Sequence, residues 1–248
     1  MPEQREPFNI ELKIGGRRLR LEGAVPAGPL SMADLLPLIQ RLADAVGEVA
    51  AQEVEARGKK IACRAGCGAC CRQLVPVSEP EALYLSQRVD AMPAERRDRI
   101  RGRFARGLEE LDRRGMLEAL RGAAGVRDRE ARRAFGEAYF RLGIPCPFLE
   151  DESCGIHPHR PISCREYLVT SSPADCADPV GRRVETVTLP RRVSSVLYRF
   201  GDGAGGDSAR WLPMILALAW AQEHRDSPLP TCPGPELFEN FIRRLASG

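Results

Sequence analysis

The sequence predicts a mainly α-helical fold with a small N-terminal β-hairpin and an irregular cysteine-rich core. Three observations lead to this fold class: a short stretch of alternating hydrophobic and polar residues near the start, helix-spaced hydrophobic residues over much of the remainder, and two groups of cysteines set among glycines and prolines. The chain has 248 residues, 43% of them hydrophobic, which is enough to bury a sizeable core. We expect a single domain spanning residues 1–248, and the alternative is a split into two domains near Gly58.

The hairpin is predicted over residues 8–22. Hydrophobic and polar residues alternate over residues 8–14 and again over residues 17–22, a period of two that is typical of strands with one buried face. Gly15 and Gly16 separate the two stretches, and a two-residue glycine loop is a strong hairpin signal.

Helices are predicted from Ser31 onward. Hydrophobic residues recur at helical spacing over residues 31–57, which predicts one long amphipathic helix. Ser78 and Glu81 form a capping box, with Pro80 in the first turn of the helix that follows. Helical spacing returns over residues 100–111 and 131–142, and residues 168–248 are predicted to form a C-terminal helical part, with helices over residues 211–224 and 235–245. A strand over residues 184–189 and a turn over residues 201–206 are also expected.

Composition argues against several classes of protein. The 37 basic and 34 acidic residues leave a net charge of only +3, and aromatic residues make up 6% of the chain, so a nucleic-acid partner is not expected. The longest apolar run, residues 211–221, is too short to cross a bilayer, and residues 1–7 lack the apolar core of a secretory signal. These features predict a cytoplasmic protein without a membrane partner.

Cysteine is the most informative residue of the chain. There are nine cysteines, an odd number that cannot all pair within one chain, and the expected compartment is reducing, so metal or thiol chemistry is favoured over a disulfide framework. One group places four thiols within residues 63–71, and a second begins at Cys146 and runs to Cys164 or Cys176. The candidate metal ligands are Cys63, Cys67, Cys70, Cys71, Cys146, Cys154 and Cys164.

Thiolates are soft donors that suit zinc, iron-sulfur centres and copper(I). Adjacent Cys70 and Cys71 point in different directions, so we expect a centre completed by cysteines of both groups. Such a centre carries excess negative charge, and Arg160 and Arg165 flank its last ligand, where they are predicted to serve the site. For Cys70 and Cys71 the alternative is a buried pair or a vicinal disulfide.

Other candidates are weaker. His157 and His159 flank the second group and are further candidate ligands, although imidazoles beside a turn are more often hydrogen-bonded or exposed. Isolated Cys232 is interpreted as a buried thiol. The sequence assigns no role to Cys176.

The cysteine motifs resemble a known family. Cys67-Gly-Ala-Cys-Cys71, Cys146-Pro-Phe-Leu149, Cys154-Gly-Ile-His157 and Arg160-Pro-Ile-Ser-Cys-Arg165 resemble, in this order, the YkgJ-like cysteine-cluster family, described as a zinc- or iron-chelating domain. The resemblance covers residues 63–167 and implies zinc or iron bound by the matched cysteines. Cys63 departs from the family pattern by standing one residue further from Cys67.

Enzyme functions are the alternative interpretation. The same domain type resembles the cysteine-rich part of flagellin lysine methylases, which implies an iron-sulfur centre and methyl transfer. The Cys63-x3-Cys67-x2-Cys70 spacing also matches radical S-adenosylmethionine enzymes, although Ala69 stands where that family usually has an aromatic residue and the preceding segment is predicted to be helical. A hydrolase is disfavoured because no nucleophile motif accompanies the three histidines. Chelation of zinc or iron is therefore the main prediction, and whether the protein is an enzyme is left open.

Overall fold

The fold is known from a computed structural model that describes residues 4–14, 16–125, 128–201 and 209–247. About half of the chain is helical. The α-helices are α1 (Met32–Ala56), α2 (Glu79–Asp90), α3 (Ala94–Arg113), α4 (Leu117–Arg121), α5 (Arg129–Arg141), α6 (Ile162–Glu166), α7 (Pro173–Cys176), α8 (Val193–Leu197), α9 (Ala217–Glu223) and α10 (Gly234–Ser247). Short 3₁₀ helices cover Ala123–Gly125, His157–His159 and Met214–Leu216.

The strands are short and pair two by two. They are β1 (Arg5–Ile14), β2 (Arg17–Pro26), β3 (Pro29–Leu30), β4 (Pro76–Ser78), β5 (Leu149–Glu150), β6 (Ser153–Cys154), β7 (Trp211–Pro213) and β8 (Cys232–Pro233). The pairs are β1–β2, β3–β8, β4–β7 and β5–β6, all antiparallel. Within the described ranges there is thus no parallel (β/α) barrel of the kind that the radical S-adenosylmethionine interpretation requires.

The N-terminal hairpin is confirmed and is longer than predicted. Ile14 pairs with Arg17 across the two-residue loop, where Gly16 has a φ of +77° that favours glycine, and pairing continues to Arg5 and Pro26. Gly15 lies outside the described residues. The prediction stopped at residues 8–22 because the outer residues lack hydrophobic alternation: Arg5, Glu6 and Pro7 are exposed, and of their partners only Val25 is fully buried.

A first hydrophobic core joins this hairpin to α1, α8 and α10. Leu36, Ile39, Leu42 and Val46 of α1 are fully buried in it, together with Phe241 of α10. The predicted helix over residues 31–57 is confirmed as α1, which Ser31 and Asp34 begin with a capping box. The helix predicted over residues 235–245 is confirmed as α10.

A second core joins β4, α2, α3, α4, β7 and α9. Phe104 of α3 packs edge-to-face against Phe148, with ring centroids 5.4 Å apart. Helix α2 contributes to both cores, because Tyr84 faces the first while Leu85 and Val89 face the second. The cysteine region lies where the two cores meet, since Ile156 belongs to the second core and Ile162 to the first.

Two predictions for the C-terminal part were wrong. Trp211, predicted to begin a helix, lies in β7, where it pairs with Ser78, and the α-helix begins only at Ala217. The expected strand over residues 184–189 is reduced to an isolated bridge between Val169 and Thr186. Residues 202–206 of the predicted turn lie outside the described residues. The part after residue 168 is therefore helical only in places.

No helix in the described ranges combines the length and the apolar character needed to cross a membrane.

Candidate metal centre

The first cysteine segment, residues 57–75, is a series of turns between α1 and β4. The Cys67 amide donates to the Arg64 carbonyl at 3.2 Å, and the Cys71 amide donates to the Gly68 carbonyl at 2.9 Å. The start of the segment is tied to the chain beyond α6, because the Cys63 thiol lies 3.6 Å from the Tyr167 carbonyl oxygen. These local turns bring the thiols of the segment to one side of the chain.

Gly68 fixes how closely this segment approaches the β5–β6 hairpin. A Cβ atom added at Gly68 would lie 2.6 Å from the Leu149 side chain and closer still to the Glu152 carbonyl oxygen. Only glycine fits such a contact without movement. Arg72 of the same segment binds the Glu152 carboxylate through both terminal nitrogens, at 3.0 and 2.7 Å. The first cysteine segment therefore packs directly on the second.

A single backbone hydrogen bond joins the two groups of cysteines. The Cys146 amide donates to the Cys71 carbonyl at 2.7 Å, and the Leu149 amide then turns back to the Cys146 carbonyl at 2.9 Å. Asp151 and Glu152 form the tight turn of the β5–β6 hairpin with φ values of 48° and 55°. Cys154 ends that hairpin, opposite Leu149. Residues from the two segments thus become immediate neighbours.

Helix α6 carries Cys164 and is held by hydrogen bonds to three other parts of the chain. Glu81, 2% exposed, accepts from the Ile162 amide at 2.7 Å with one oxygen and from the Ser78 amide at 2.8 Å with the other. The Ser163 hydroxyl donates to the Pro76 carbonyl. Glu166 accepts from the Ser194 amide and hydroxyl. The sequence predicted the capping role of Glu81, but the hydrogen bond from Ile162 could not be predicted, because the two residues lie far apart along the chain.

Six of the seven predicted cysteines line one cavity of about 220 Å³. They are Cys67, Cys70, Cys71, Cys146, Cys154 and Cys164. A smaller cavity of about 40 Å³ lies beside it and is lined by the remaining one, Cys63, and again by Cys67, Cys70 and Cys164. The two cavities share three cysteines, so the thiols form one continuous group.

Cys176 also belongs to this group, although the predicted ligand set did not include it. It is buried, it lines the smaller cavity, and its thiol interacts electrostatically with Cys63, Cys67 and Cys70. Burial and these neighbouring thiols raise the pKa of Cys176 to about 11. The bridge between Val169 and Thr186 folds this part of the chain back, which brings α7 to the site. No local spacing signalled this approach.

The thiols share the cavities without converging on one point. Among the described residues, no three His, Cys, Asp or Glu side chains already have the geometry of a metal site. All nine cysteines are free, so adjacent Cys70 and Cys71 do not form a disulfide. The donor set itself fits zinc or iron, which thiolates bind well. Binding would require the thiol side chains to reorient.

The environment favours protonated thiols at Cys63, Cys146, Cys154 and Cys164. Burial raises the pKa of Cys146 to about 12, and burial followed by the charge of neighbouring thiols raises the pKa of Cys164 well above its ordinary value. Burial also raises the pKa of Cys154 and of Cys63. The hydrogen bond within the adjacent pair lowers the pKa of Cys70 and raises that of Cys71. A metal ion binding here must displace protons, since the thiolate is the ligand.

Arg160 and Arg165 occupy different places. Arg160 lines both cavities, its charge opposes the burial that raises the pKa of Cys154, and its Nε is buried without a hydrogen-bond partner among the described residues. Arg165, 7% exposed, binds Asp44 at 2.6 Å and the carbonyls of Arg160 and Pro158. It is not among the described residues that line either cavity. Arg165 therefore holds the turn that carries Arg160.

The two histidines also differ. His157 lines the larger cavity, and burial lowers its pKa, which favours the neutral imidazole that can act as a ligand. The Nδ1 of His159 lies 2.9 Å from the Tyr84 hydroxyl, away from the thiols. Of the two, His157 is the one within reach of the cysteine group.

Comparison with known proteins gives one match. Residues 62–181 match the family model CxxCxxCC, described as a putative zinc- or iron-chelating domain. The matched segment includes both cysteine groups and Cys176, and it confirms the family resemblance seen in the cysteine motifs. No curated protein and no solved structure matches the chain.

Proposed function

Because residues 62–181 form a domain of the CxxCxxCC family, we propose that this protein chelates zinc or iron through cysteines from both segments of that domain. The observation that carries the proposal is the cavity of about 220 Å³ that six cysteines from the two segments line together. The proposed ligands are drawn from Cys67, Cys70, Cys71, Cys146, Cys154 and Cys164.

Several ligands from distant segments suit a chelating site. The Cys71–Cys146 backbone bond and the Gly68 contact support a common centre, because they hold the two segments together before any metal is bound. Thiols already gathered in one place cost less conformational entropy to order around an ion than thiols on free loops. We therefore propose that the metal completes a partly formed site.

We further propose that Cys63 and Cys176 serve the smaller cavity, next to the shared Cys67, Cys70 and Cys164. This arrangement would extend the centre beyond a single tetrahedral ion, which needs four ligands. Whether the larger cavity takes zinc or an iron-sulfur cluster decides whether the centre is redox-active, since zinc has no redox chemistry. The lysine methylase interpretation remains a prediction from sequence, whereas the radical S-adenosylmethionine interpretation is disfavoured, because the strands of the described residues form antiparallel pairs and no parallel barrel.

Arg160 is proposed to balance the charge of the centre, as predicted. A zinc ion with four thiolates carries a net charge of −2, and the charge of Arg160 acts on Cys154 and Cys164. Arg165 is proposed to contribute through Arg160, because its guanidinium binds the Arg160 carbonyl at 3.0 Å.

The experiment compares two single substitutions in the full chain. Cys146→Ser removes a thiol that lines the larger cavity. Cys232→Ser removes a thiol outside that cavity, because Cys232 is the strand partner of Leu30 in the β3–β8 sheet and packs against the first core. Protein purified without oxygen is analysed for zinc and iron per chain, and its visible absorption is recorded. An iron-sulfur centre absorbs in the visible range, and zinc does not.

We expect wild-type protein and Cys232→Ser to contain the same stoichiometric metal and Cys146→Ser to contain markedly less. Equal metal content in all three proteins would contradict the proposed ligand set. Wild-type protein that folds without zinc or iron and keeps freely titratable thiols would contradict chelation itself.

A further inference from the structure

A groove outside the metal centre is lined by an unusual concentration of arginines. It has a volume of about 360 Å³ and lies between the segment that leads into α8 and the end of α10. Its charged residues are Arg191, Arg192, Arg199 and Arg244, and Leu189 and Val196 contribute apolar surface. None of the described residues that line it is acidic. We call it the arginine groove.

Arginines elsewhere in this chain are mostly matched with carboxylates. Arg99 pairs with Glu95 at 2.7 Å, and Arg101 pairs with Asp90 at 2.6 Å. In the arginine groove, by contrast, Arg191 donates to the Ala246 carbonyl at 3.4 Å, and the Arg244 guanidinium lies 5.9 Å from the centre of the Phe200 ring. These two interactions position guanidinium groups without neutralising them.

Arg192 and Arg199 are the exposed cations of the groove, and they lie on the same side of α8. Neither forms an ion pair within the part of the chain that the structure describes. The charge of Arg192 does reach the Glu166 carboxylate, but that group is buried and already bound to Ser194. Like charges that share a groove repel one another, so an anion that binds between them is stabilised by all four.

We propose that the arginine groove binds an acidic segment of a partner protein. A guanidinium group forms two parallel hydrogen bonds with a carboxylate, and clusters of arginine are a common means of binding acidic motifs. The apolar side chains of Leu189 and Val196 offer contacts to apolar residues between the carboxylates. Nucleic acid fits less well, because none of the described residues that line the groove is aromatic, so no side chain there offers a face for base stacking.

The position of the groove gives the interaction a consequence for the metal centre. Arg192 lines both the arginine groove and the larger cysteine-lined cavity. An acidic segment that binds Arg192 would therefore lie next to the cavity that the thiols line. The groove proposal itself depends on the arginines alone and stands whether or not the thiols hold a metal.

The test uses the full chain and a fluorescein-labelled peptide of alternating glutamate and leucine. Its matched control carries glutamine in place of glutamate, and a single-stranded RNA of equal charge is the competing probe. The variants are Arg199→Gln, which alters the groove but not the metal cavity, and the double change Arg192→Gln with Arg199→Gln. The control protein combines Arg99→Gln and Arg133→Gln, which removes two exposed arginines elsewhere.

Fluorescence anisotropy should show salt-dependent binding of the acidic peptide, weakened about tenfold or more by the double groove change and by less than about twofold in the control protein. Arg199→Gln should weaken peptide binding while leaving metal content unchanged. The proposal is overturned if the acidic peptide does not bind, if it binds no better than the glutamine peptide, or if the groove variant binds it as wild type does. It is also overturned if RNA binds more tightly than the peptide and the groove change removes that binding, since the groove would then be a nucleic-acid site.

Discussion

The first hydrophobic core and the cysteine region are built in opposite ways. The first core packs α1 against the hairpin and α10 through side chains that are fully buried, such as Leu36, Ile39 and Phe241. The cysteine segments contain little regular structure, and the contacts that join them include the Cys71–Cys146 backbone hydrogen bond, the close approach of Gly68 and the Arg72–Glu152 pair. Burial of apolar surface stabilises the first region without any ligand. The cysteine region is anchored to the two cores by Phe148, Ile156 and Ile162, but its thiols line cavities, so the order of the thiols should depend on what they bind.

The largest expected effect tests the first half of this comparison. Phe241→Ala removes a fully buried ring that lies 5.3 Å from the Phe200 ring, centre to centre. The free energy of unfolding should fall by about 3–5 kcal/mol, because the substitution loses apolar burial and leaves a cavity. Urea denaturation followed by circular dichroism should give the same loss with and without a metal chelator. A loss that depends on the chelator would show that the two regions are not independent.

Gly68→Ala tests the contact between the cysteine segments. The added methyl group meets the Leu149 side chain and the Glu152 carbonyl, and overpacking of this kind costs about 1–3 kcal/mol. Metal content per chain should fall as the segments separate.

The matched control is Gly136→Ala in α5, where nothing lies within 4 Å of the added atom. Alanine in a helix interior is more favourable than glycine by about 1 kcal/mol, so this variant should be slightly more stable and keep its metal. If Gly68→Ala behaves like Gly136→Ala, the close approach described here is wrong.

Glu81→Gln tests how Cys164 is held. The substitution replaces an acceptor oxygen by a donor amide opposite the amides of Ile162 and Ser78, and one buried unsatisfied group costs about 1–3 kcal/mol. Thermal denaturation measures the loss, and the rate at which a thiol reagent modifies the metal-free protein should rise as α6 loosens. Glu95→Gln, which changes an exposed carboxylate, is the control and should alter neither quantity.

The smallest effect is expected for Asp44→Asn. The Asp44 side chain is 45% exposed, and an ion pair open to solvent contributes less than about 1 kcal/mol. Arg165 keeps its bonds to the Arg160 and Pro158 carbonyls, so the turn that carries Arg160 should persist. A fall in metal content as large as that expected for Gly68→Ala would mean that Asp44 contributes more to the site than its contacts indicate.

The same contrast explains what the sequence could predict. The hairpin, α1 and α10 follow from patterns within their own segments, and the Ser78–Glu81 capping box was confirmed with both of its bonds. The cysteine motifs were enough to predict the family match. Local periodicity and short motifs were therefore enough to predict the hairpin, α1, α10 and the start of α2.

Long-range pairing accounts for what was missed. A short apolar run such as the one at Trp211 fits a strand or a helix, and its pairing with Ser78 decides between them. Cys176 stands alone in the sequence and joins the thiols only because the chain folds back at Val169. The service of Arg165 to the site stays a prediction, but the contacts of its side chain with Asp44 and two backbone carbonyls could not be read from its position beside Cys164. Spacing along the chain does not determine such directions.

The most direct test of the central claim is X-ray absorption at the metal edge of the full-length protein purified without oxygen. If cysteines of both segments chelate the metal, the first coordination shell should consist mainly of sulfur, at about 2.3 Å for zinc. Cys146→Ser and Cys71→Ser should each reduce the sulfur contribution or the metal content, since the two residues come from different segments of the same cavity. A shell of oxygen and nitrogen alone, unchanged by either substitution, would contradict the account.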